Sequence, residues 1–412
     1  MHRLNILGWA AALLTLALSC SKTPDVTDPE DGLPPFPKAA LEIEFVPLTR
    51  AEQGFVQAGN QFAWRLTKEV WDGSDKKSLI LCPLSVQYAL GMLGNGADAE
   101  TAARVSAVLG YEGTDAINAF CAKLIETLPQ VDTSVTLALA DGVLVNDRFT
   151  LKAPFKSAVQ TYYDALVESM SFADRQAVMK YVNDWCEKHT YGRIKDVLQD
   201  VDPAAMMYIM NAIFFHAGWT TPFDKASTRD ETFRNLAGGT SKVGMMHQTL
   251  DILYGENDFG QAVSLPYGNG KYVLTVFLPK KGDGLTALPD TRQLPSAHEL
   301  CHVVLSLPRF KTESTLDMKD LLAGMGLPVS PYTELVENST GEISKVIHKA
   351  NITVNETGTE AAAVTVIEMR YTSAGPISEP RTVTFTADRP FLYTLSETTS
   401  GVILFTGLYN GE

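Results

Sequence analysis

The chain has 412 residues, of which 45% are hydrophobic and 20% charged, so it can bury a large core and is not a disordered polymer. Its formal net charge of −14 repels phosphate backbones and anionic lipid headgroups, which sets nucleic acid aside as a partner. Beyond the N-terminus no apolar run reaches the roughly 18 residues of a membrane helix.

The first twenty residues, "MHRLNILGWAAALLTLALSC", have a basic start, an apolar stretch from Ile6 to Leu18 and small residues leading to Cys20. That is the pattern of an export signal rather than of a fold element. The ending "LALSC" is similar to a bacterial lipobox, in which the cysteine becomes the lipidated first residue. Ala17 stands where Leu is usual, so a plain secretory signal is the alternative. Residues 21–47 begin "SKTPDVTDPEDGLPPFPKAA", rich in Pro and Asp, and read as a semi-extended tether. A folded body over 48–412, carried outside the cytoplasm, is expected to follow, held to a membrane only through the Cys20 lipid. That body is expected to be a monomer.

Along the body, apolar residues recur at three-to-four spacing over 58–73, 99–110, 114–128, 155–170 and 175–190, which predicts amphipathic helices. Runs rich in β-branched and aromatic residues predict strands over 134–145, 206–215, 262–279, 302–310, 382–386 and 401–410, and "PYGNGK" at 266–271 predicts a hairpin turn. Helices gather in the first half and strands in the second, which gives an α+β fold with large mixed or antiparallel sheets.

Two stretches bear on chemistry. "HELCH", His298 to His302, matches the His-Glu-x-x-His zinc signature, whose two histidines must lie one helical turn apart. Here it runs into the alternating strand "VVLSLPRF", where residues four apart lie about 13 Å from each other, so no metal site is expected. Ser85 and His348 could form a nucleophile and base, but no Gly-x-Ser-x-Gly elbow places the serine, and they read as core polar groups. Cys82, Cys121, Cys186 and Cys301 share no paired spacing and read as isolated buried thiols.

One stretch resists a packing explanation: "NETGTEAAAVTVIEMRYTSAGPISEP", from Asn355 to Pro380, begins with side chains too small to fill a core. "HKANITVNETGTEAAAVT" resembles the proximal hinge of inhibitory serpins, and "ADRPFLYTLSETTSGVILFTGLYN" resembles their C-terminal strand pair. "LILCPLSVQYALGMLGNGADAETAARVSAVLG", "DWCEKHTYGRIKDVL", "MNAIFFHAGWTTPF", "VGMM" and "LPRFKTESTLDMKDLLAGMGL" follow the same family in the same order, from about Leu48 to Tyr409. The resemblance implies a suicide-substrate inhibitor with no cofactor and no catalytic residue. Its exposed reactive-centre loop, about 356–382, is bait for a serine protease, and a cysteine protease is a further target type. After cleavage and acyl-enzyme formation the segment from Gly358 onward would enter the central sheet as a new strand. A non-inhibitory serpin-like binding protein is the alternative.

The resemblance also implies roles for particular residues. Glu356, Gly358, Thr359, Glu360, Ala361, Ala362 and Ala363 would be the hinge. Gly358 frees the backbone there, and Thr359 and the alanines are small enough to enter a sheet, although Glu-Ala-Ala-Ala also favours helix. Val364 is bulkier than is usual in the family. Ser85, Asn211 and His348 would be the shutter, a hydrogen-bonded polar cluster under the strands that part, with Cys82 where a second serine is usual. Trp219, Arg309 and Glu356 would be the breach, where the hinge first enters. Counting about fourteen residues from Gly358, enough to run some 45 Å of sheet, places the reactive bond at Thr372–Ser373, with Tyr371 and Arg370 as alternatives. Thr372 suits elastase-like or subtilisin-like proteases, Tyr371 chymotrypsin-like ones and Arg370 trypsin-like ones.

Overall fold

The structure, a computed structural model, describes residues 42–280, 285, 287–359 and 380–411. The export signal with Cys20, and most of the tether, lie outside these residues, as do Glu360 to Ala363, Val364 and Arg370 to Ser373.

The first half alternates helices with short strands. Helix α1 (Arg50–Asp72) starts at Thr49, whose hydroxyl accepts from the Glu52 amide while the Glu52 carboxylate accepts from Thr49, two orphan donors satisfied reciprocally. Strand β1 (Leu79–Leu81) leads into α2 (Pro83–Gly94), which opens on a proline and is buried along nearly its whole length. Helix α3 (Ala99–Leu109) is capped by Asp98 and ends on Gly110 at φ 79°, and α4 (Thr114–Thr127) leads to β2 (Thr136–Asn146). The periodicity over 155–170 predicts one helix. The chain instead makes α5 (Ala153–Tyr163), stops it at Asp164 with φ 48°, and continues as β3 (Leu166–Met170), parallel to β2. Asp tolerates the left-handed conformation that a helix end requires, which is why the break falls there. Helix α6 (Arg175–His189) is capped by Asp174.

Strands dominate afterwards: β4 (Met207–Gly218), β5 (Arg229–Arg234), β6 (Thr240–Glu256), β7 (Gly260–Tyr267), β8 (Tyr272–Pro279), β9 (Glu299–Pro308) and β10 (Phe310–Asp317). After the short α7 (Lys319–Gly324) come β11 (Ile347–Val354), β12 (Gly358–Thr359), β13 (Thr382–Thr386), β14 (Phe391–Glu397) and β15 (Ile403–Tyr409). The turn predicted at 266–271 joins β7 to β8, with Gly268 and Gly270 at positive φ.

The strands form two sheets. One has nine strands in the order β1-β15-β14-β8-β7-β6-β9-β13, with β5 on β6; the other has six in the order β10-β11-β12-β4-β2-β3. Helix α2 packs against β4 and β15 and so sits between the sheets. A smaller cluster built from Val178, Val182 and Trp185 of α6 with Leu144 and Met210 covers part of the six-stranded sheet. The mixed α+β architecture is the one the sequence implies. Both histidines of "HELCH" are accounted for: His298 precedes β9 and its Nδ1 meets the Ser296 carbonyl at 2.7 Å, while His302 lies within β9 and meets Asp251 at 2.8 Å. Among the described residues no three His, Cys, Asp or Glu side chains gather as a metal site, and no helix is long and apolar enough to cross a membrane. The four body cysteines are free and buried, and burial pushes the thiols of Cys82 and Cys186 up to about 12.

Candidate functional site: the slot in the six-stranded sheet

Strand β11 runs antiparallel to β10 as far as Val354. The chain then reverses over Asn355 to Thr357 and returns as β12, two residues long, between β11 and β4. Val354 faces Thr359, and on the other side Gly358 faces Gly218 and Thr359 faces Ala217.

Asn355 makes this reversal. Its Oδ1 accepts from the Thr357 amide at 2.9 Å, the Thr357 hydroxyl at 2.7 Å and the Gly358 amide at 3.2 Å, while its own amide donates to the Gly358 carbonyl at 3.0 Å. A short side chain that bonds the backbone two residues on is an Asx turn. Gly358 takes φ 152°, a value that side-chain-bearing residues rarely adopt. Trp219, just past β4, grips the turn from the other side. Its amide donates to the Thr357 carbonyl at 2.9 Å and its indole Nε1 to the Asn355 carbonyl at 2.8 Å, and its ring stacks on Tyr267 with centroids 4.3 Å apart.

Glu356 is 3% exposed. Its carboxylate accepts from the Thr228 hydroxyl at 2.8 Å, and Arg309 lies 3.7 Å away with its own side chain 56% exposed. The Glu356 carbonyl accepts from the Phe223 amide at 2.9 Å. So the neutral Thr228 is the nearer partner of the carboxylate, and Arg309 a looser one at the rim. Thr359 is 2% exposed and its hydroxyl pairs with the Tyr267 hydroxyl at 2.5 Å. Burial pushes the Tyr267 phenol far above its ordinary range, so it keeps its proton and can donate.

Below β12 the arrangement changes. Among the described residues no strand lies between β4 and β11, and the space opens into a cavity of about 150 Å³. Ser85 from α2, Asn211 from β4 and His348 from β11 all line it. The resemblance implied hydrogen bonds within this trio. In the structure His348 Nε2 accepts from the Cys82 amide at 3.1 Å, and Asn211 Nδ2 donates to Asp141 Oδ1 of β2 at 2.7 Å. An imidazole acceptor at the start of a buried helix has to be neutral, and burial pushes His348 down to about 4. The side-chain oxygen of Asn211 is buried without a partner.

The expectation kept the segment from Gly358 onward outside the sheet. Gly358 and Thr359 are instead already paired within it, because the Asn355 turn leaves them no length in which to diverge. The sequence reading gave Asn355, Tyr267, Thr228 and Asp141 no role in the site. Asn355 could have been found as an Asn two residues before a Thr and three before a Gly; the other three carry no local signal, since their partners are 70 to 128 residues away.

The six-stranded sheet with a partly occupied central slot defines a class, and comparison with known proteins gives the same one. The family model described as Serpin (serine protease inhibitor) matches residues 57–410. An antitrypsin of Bombyx mori is 31% identical over 366 residues, covering 85% of this chain and 92% of that protein, and the protein Ipis-1 of Ixodes persulcatus is 33% identical over 81% and 93%. Among solved structures, the thermophilic serpin tengpin in its native state is 26% identical with a TM-score of 0.76, over 90% of this chain and 97% of that one. Human thyroxine-binding globulin complexed with thyroxine is 25% identical with a TM-score of 0.77, over 88% and 100%. The chain belongs to the serpin family.

Proposed function

We propose that this protein inhibits serine-type endopeptidases as a suicide substrate. A protease serine attacks the carbonyl carbon of Thr372, the Thr372–Ser373 bond breaks, Ser373 leaves as a free amine, and Thr372 stays on the enzyme as an ester. The hinge beyond Thr359 then threads into the slot and carries the acylated protease with it before the ester hydrolyses. The single observation that carries this reading is β12: its two residues pair with β4 and β11 at the mouth of a slot whose edges continue beyond it. A strand extended from Thr359 would run on between β4 and β11, in the mode of strand addition.

The globulin complexed with thyroxine, one of the similar proteins, supports the non-inhibitory alternative. The run Thr359 to Ala363 speaks against it here, because apart from Glu360 its side chains are small enough to enter a sheet. Tyr371 and Arg370 remain the alternative reactive residues. For location we propose export and a lipid anchor at Cys20, facing the periplasm or cell surface, with secretion as the alternative.

Three measurements on one preparation test the activity. Mixed with elastase-like, subtilisin-like, chymotrypsin-like and trypsin-like enzymes, the protein is expected to give a complex that survives denaturing electrophoresis with at least one of them. Mass spectrometry of the released C-terminal peptide is expected to begin at Ser373. Cleavage in the loop is expected to raise the melting temperature by at least about 10 °C, since a new strand adds a dozen or more backbone hydrogen bonds. An unchanged melting temperature would rule out insertion. For the anchor, Cys20→Ala in a bacterial host is expected to move the protein from the membrane to the soluble fraction.

A further inference from the structure

Asp141 lies in the middle of β2, directly opposite Asn211 of β4, and is 5% exposed. Among the described residues its carboxylate accepts one hydrogen bond, from Asn211 Nδ2 at 2.7 Å. The titratable groups that face it are Tyr88 from α2, Cys121 from α4, and Tyr163 with the following Asp164 at the end of α5. None of them is a cation. Burial holds the thiol and the two phenols above their ordinary ranges, so they are neutral, and Asp164 adds only repulsion. The Tyr163 hydroxyl is already spent on Asn118 at 2.9 Å. A buried carboxylate with a single neutral donor is an expensive arrangement. Beside it two buried polar atoms have no partner: the Tyr88 hydroxyl and the side-chain oxygen of Asn211.

The two orphans and the acid bear on loop insertion because Asn211 also lines the slot. We propose that Asp141 is a positioning residue for insertion: its proton state decides whether the Asn211 amide is satisfied on β2 or left open toward the incoming strand. A protonated Asp141 is an acid facing an amide. It accepts from Asn211 Nδ2 and can donate its O–H to Asn211 Oδ1, so both groups of the amide are satisfied with the slot empty. An ionised Asp141 has no proton to give. Asn211 Oδ1 then stays unsatisfied until a strand or a rearranged neighbour in the slot supplies a donor. The ionised protein therefore gains a hydrogen bond on insertion that the neutral protein already has, and the pull on the loop is stronger at higher pH. Burial and Asp164 push the Asp141 carboxyl up to about 7, which puts the change near neutrality. Cys186, Tyr208, Tyr332, Glu342, Lys345 and His348 also line the cavity, and burial keeps His348 neutral throughout that range.

This inference rests on the insertion reading, and the test separates the two. Melting temperatures of the intact and the loop-cleaved full chain are measured from pH 5.5 to 8.5 for wild type and for Asp141→Asn. The gap between cleaved and intact protein is expected to widen by roughly 2 °C in wild type as pH rises through neutrality, the size of one hydrogen bond in a chain this long. In Asp141→Asn, which cannot titrate, the gap is expected to stay flat. A purely structural Asp141 would shift both melting temperatures without changing this pH profile. A gap with the same pH dependence in both proteins, or a flat gap in wild type, overturns the proposal and leaves insertion standing. No gap at any pH overturns both. Should Asp141→Asn not fold, Asp141→Ser carries the same comparison, since it too lacks the titrating group.

Discussion

The upper and lower halves of one slot are built on opposite principles. At the top, nearly every polar group near the hinge is paired: Asn355 closes the turn, Trp219 holds two of its carbonyls, Thr228 meets Glu356 and Tyr267 meets Thr359. Lower down, the cavity mixes apolar side chains with Ser85, Asn211 and His348, and the amide oxygen of Asn211 has no partner. Backbone groups and buried amides carry a cost of about 1–3 kcal/mol when left unpaired. A sheet finished at one end and not at the other among the described residues has a direction, and the proposed insertion would run from the finished end.

Four changes probe that contrast. Thr359→Arg should have the largest effect. The site is buried and its hydroxyl is used, so a charge there would sit unpaired among apolar neighbours. The protein is expected to turn from inhibitor to substrate, read as an increase of tenfold or more in the stoichiometry of inhibition; an unchanged stoichiometry would break the idea that the upper half guides the strand. Asn355→Ala removes the acceptor of three hydrogen bonds. It is expected to destabilise the intact protein by up to about 3 kcal/mol in urea unfolding. Little or no change would mean that Trp219 alone seats the hinge.

The third change acts in the lower half. His348 is held neutral, with its folded value of about 4 below the ordinary one, so its contribution to stability is complete above about pH 6.5 and is lost as pH falls toward 4. Asp141 works with the opposite sign, since its raised value makes stability fall as pH rises toward about 7. The difference between wild type and His348→Gln isolates the histidine. That difference is expected to move by about 2 kcal/mol in favour of the variant between pH 7 and pH 5, measured by urea midpoints. A difference independent of pH would show that the imidazole is not buried as described. Arg309→Ala should do least. The pair with Glu356 is long and its cation half exposed, so a loss under about 1 kcal/mol, smaller still at high salt, is expected. A larger loss would move Arg309 from the rim into the seat itself.

Wherever periodicity was the signal and one face of an element met solvent, the elements were legible. Helices α3, α4 and α6 fall where the spacing placed them, and the β7–β8 hairpin turns at Gly268 and Gly270. Helix α2 gave no such signal because it is apolar on every side, being buried between sheets. The break between α5 and β3 was hidden because "DALVESM" keeps helical spacing while pairing in parallel with β2. Of the site, Trp219, Arg309, Glu356, Ser85, Asn211 and His348 were given their roles in it only through family resemblance. The structure gathers the first three around the Asn355 turn and puts the last three on one cavity.

By itself the sequence determined what depends on neighbours along the chain: where helices start, where turns tighten, and that the run after Gly358 is too small to be core. Which groups end up satisfied is a different kind of fact. Asn211 meets Asp141 across 70 residues, Thr359 meets Tyr267 across 92, and Glu356 meets Thr228 across 128. Such pairs form only once β2, β4, β11 and the turn after β4 are brought together, because a hydrogen bond requires its two atoms within about 3 Å and no local spacing encodes that distance. Tertiary structure alone therefore decided that, among the described residues, the slot is closed at one end by β12 and continues as a cavity at the other.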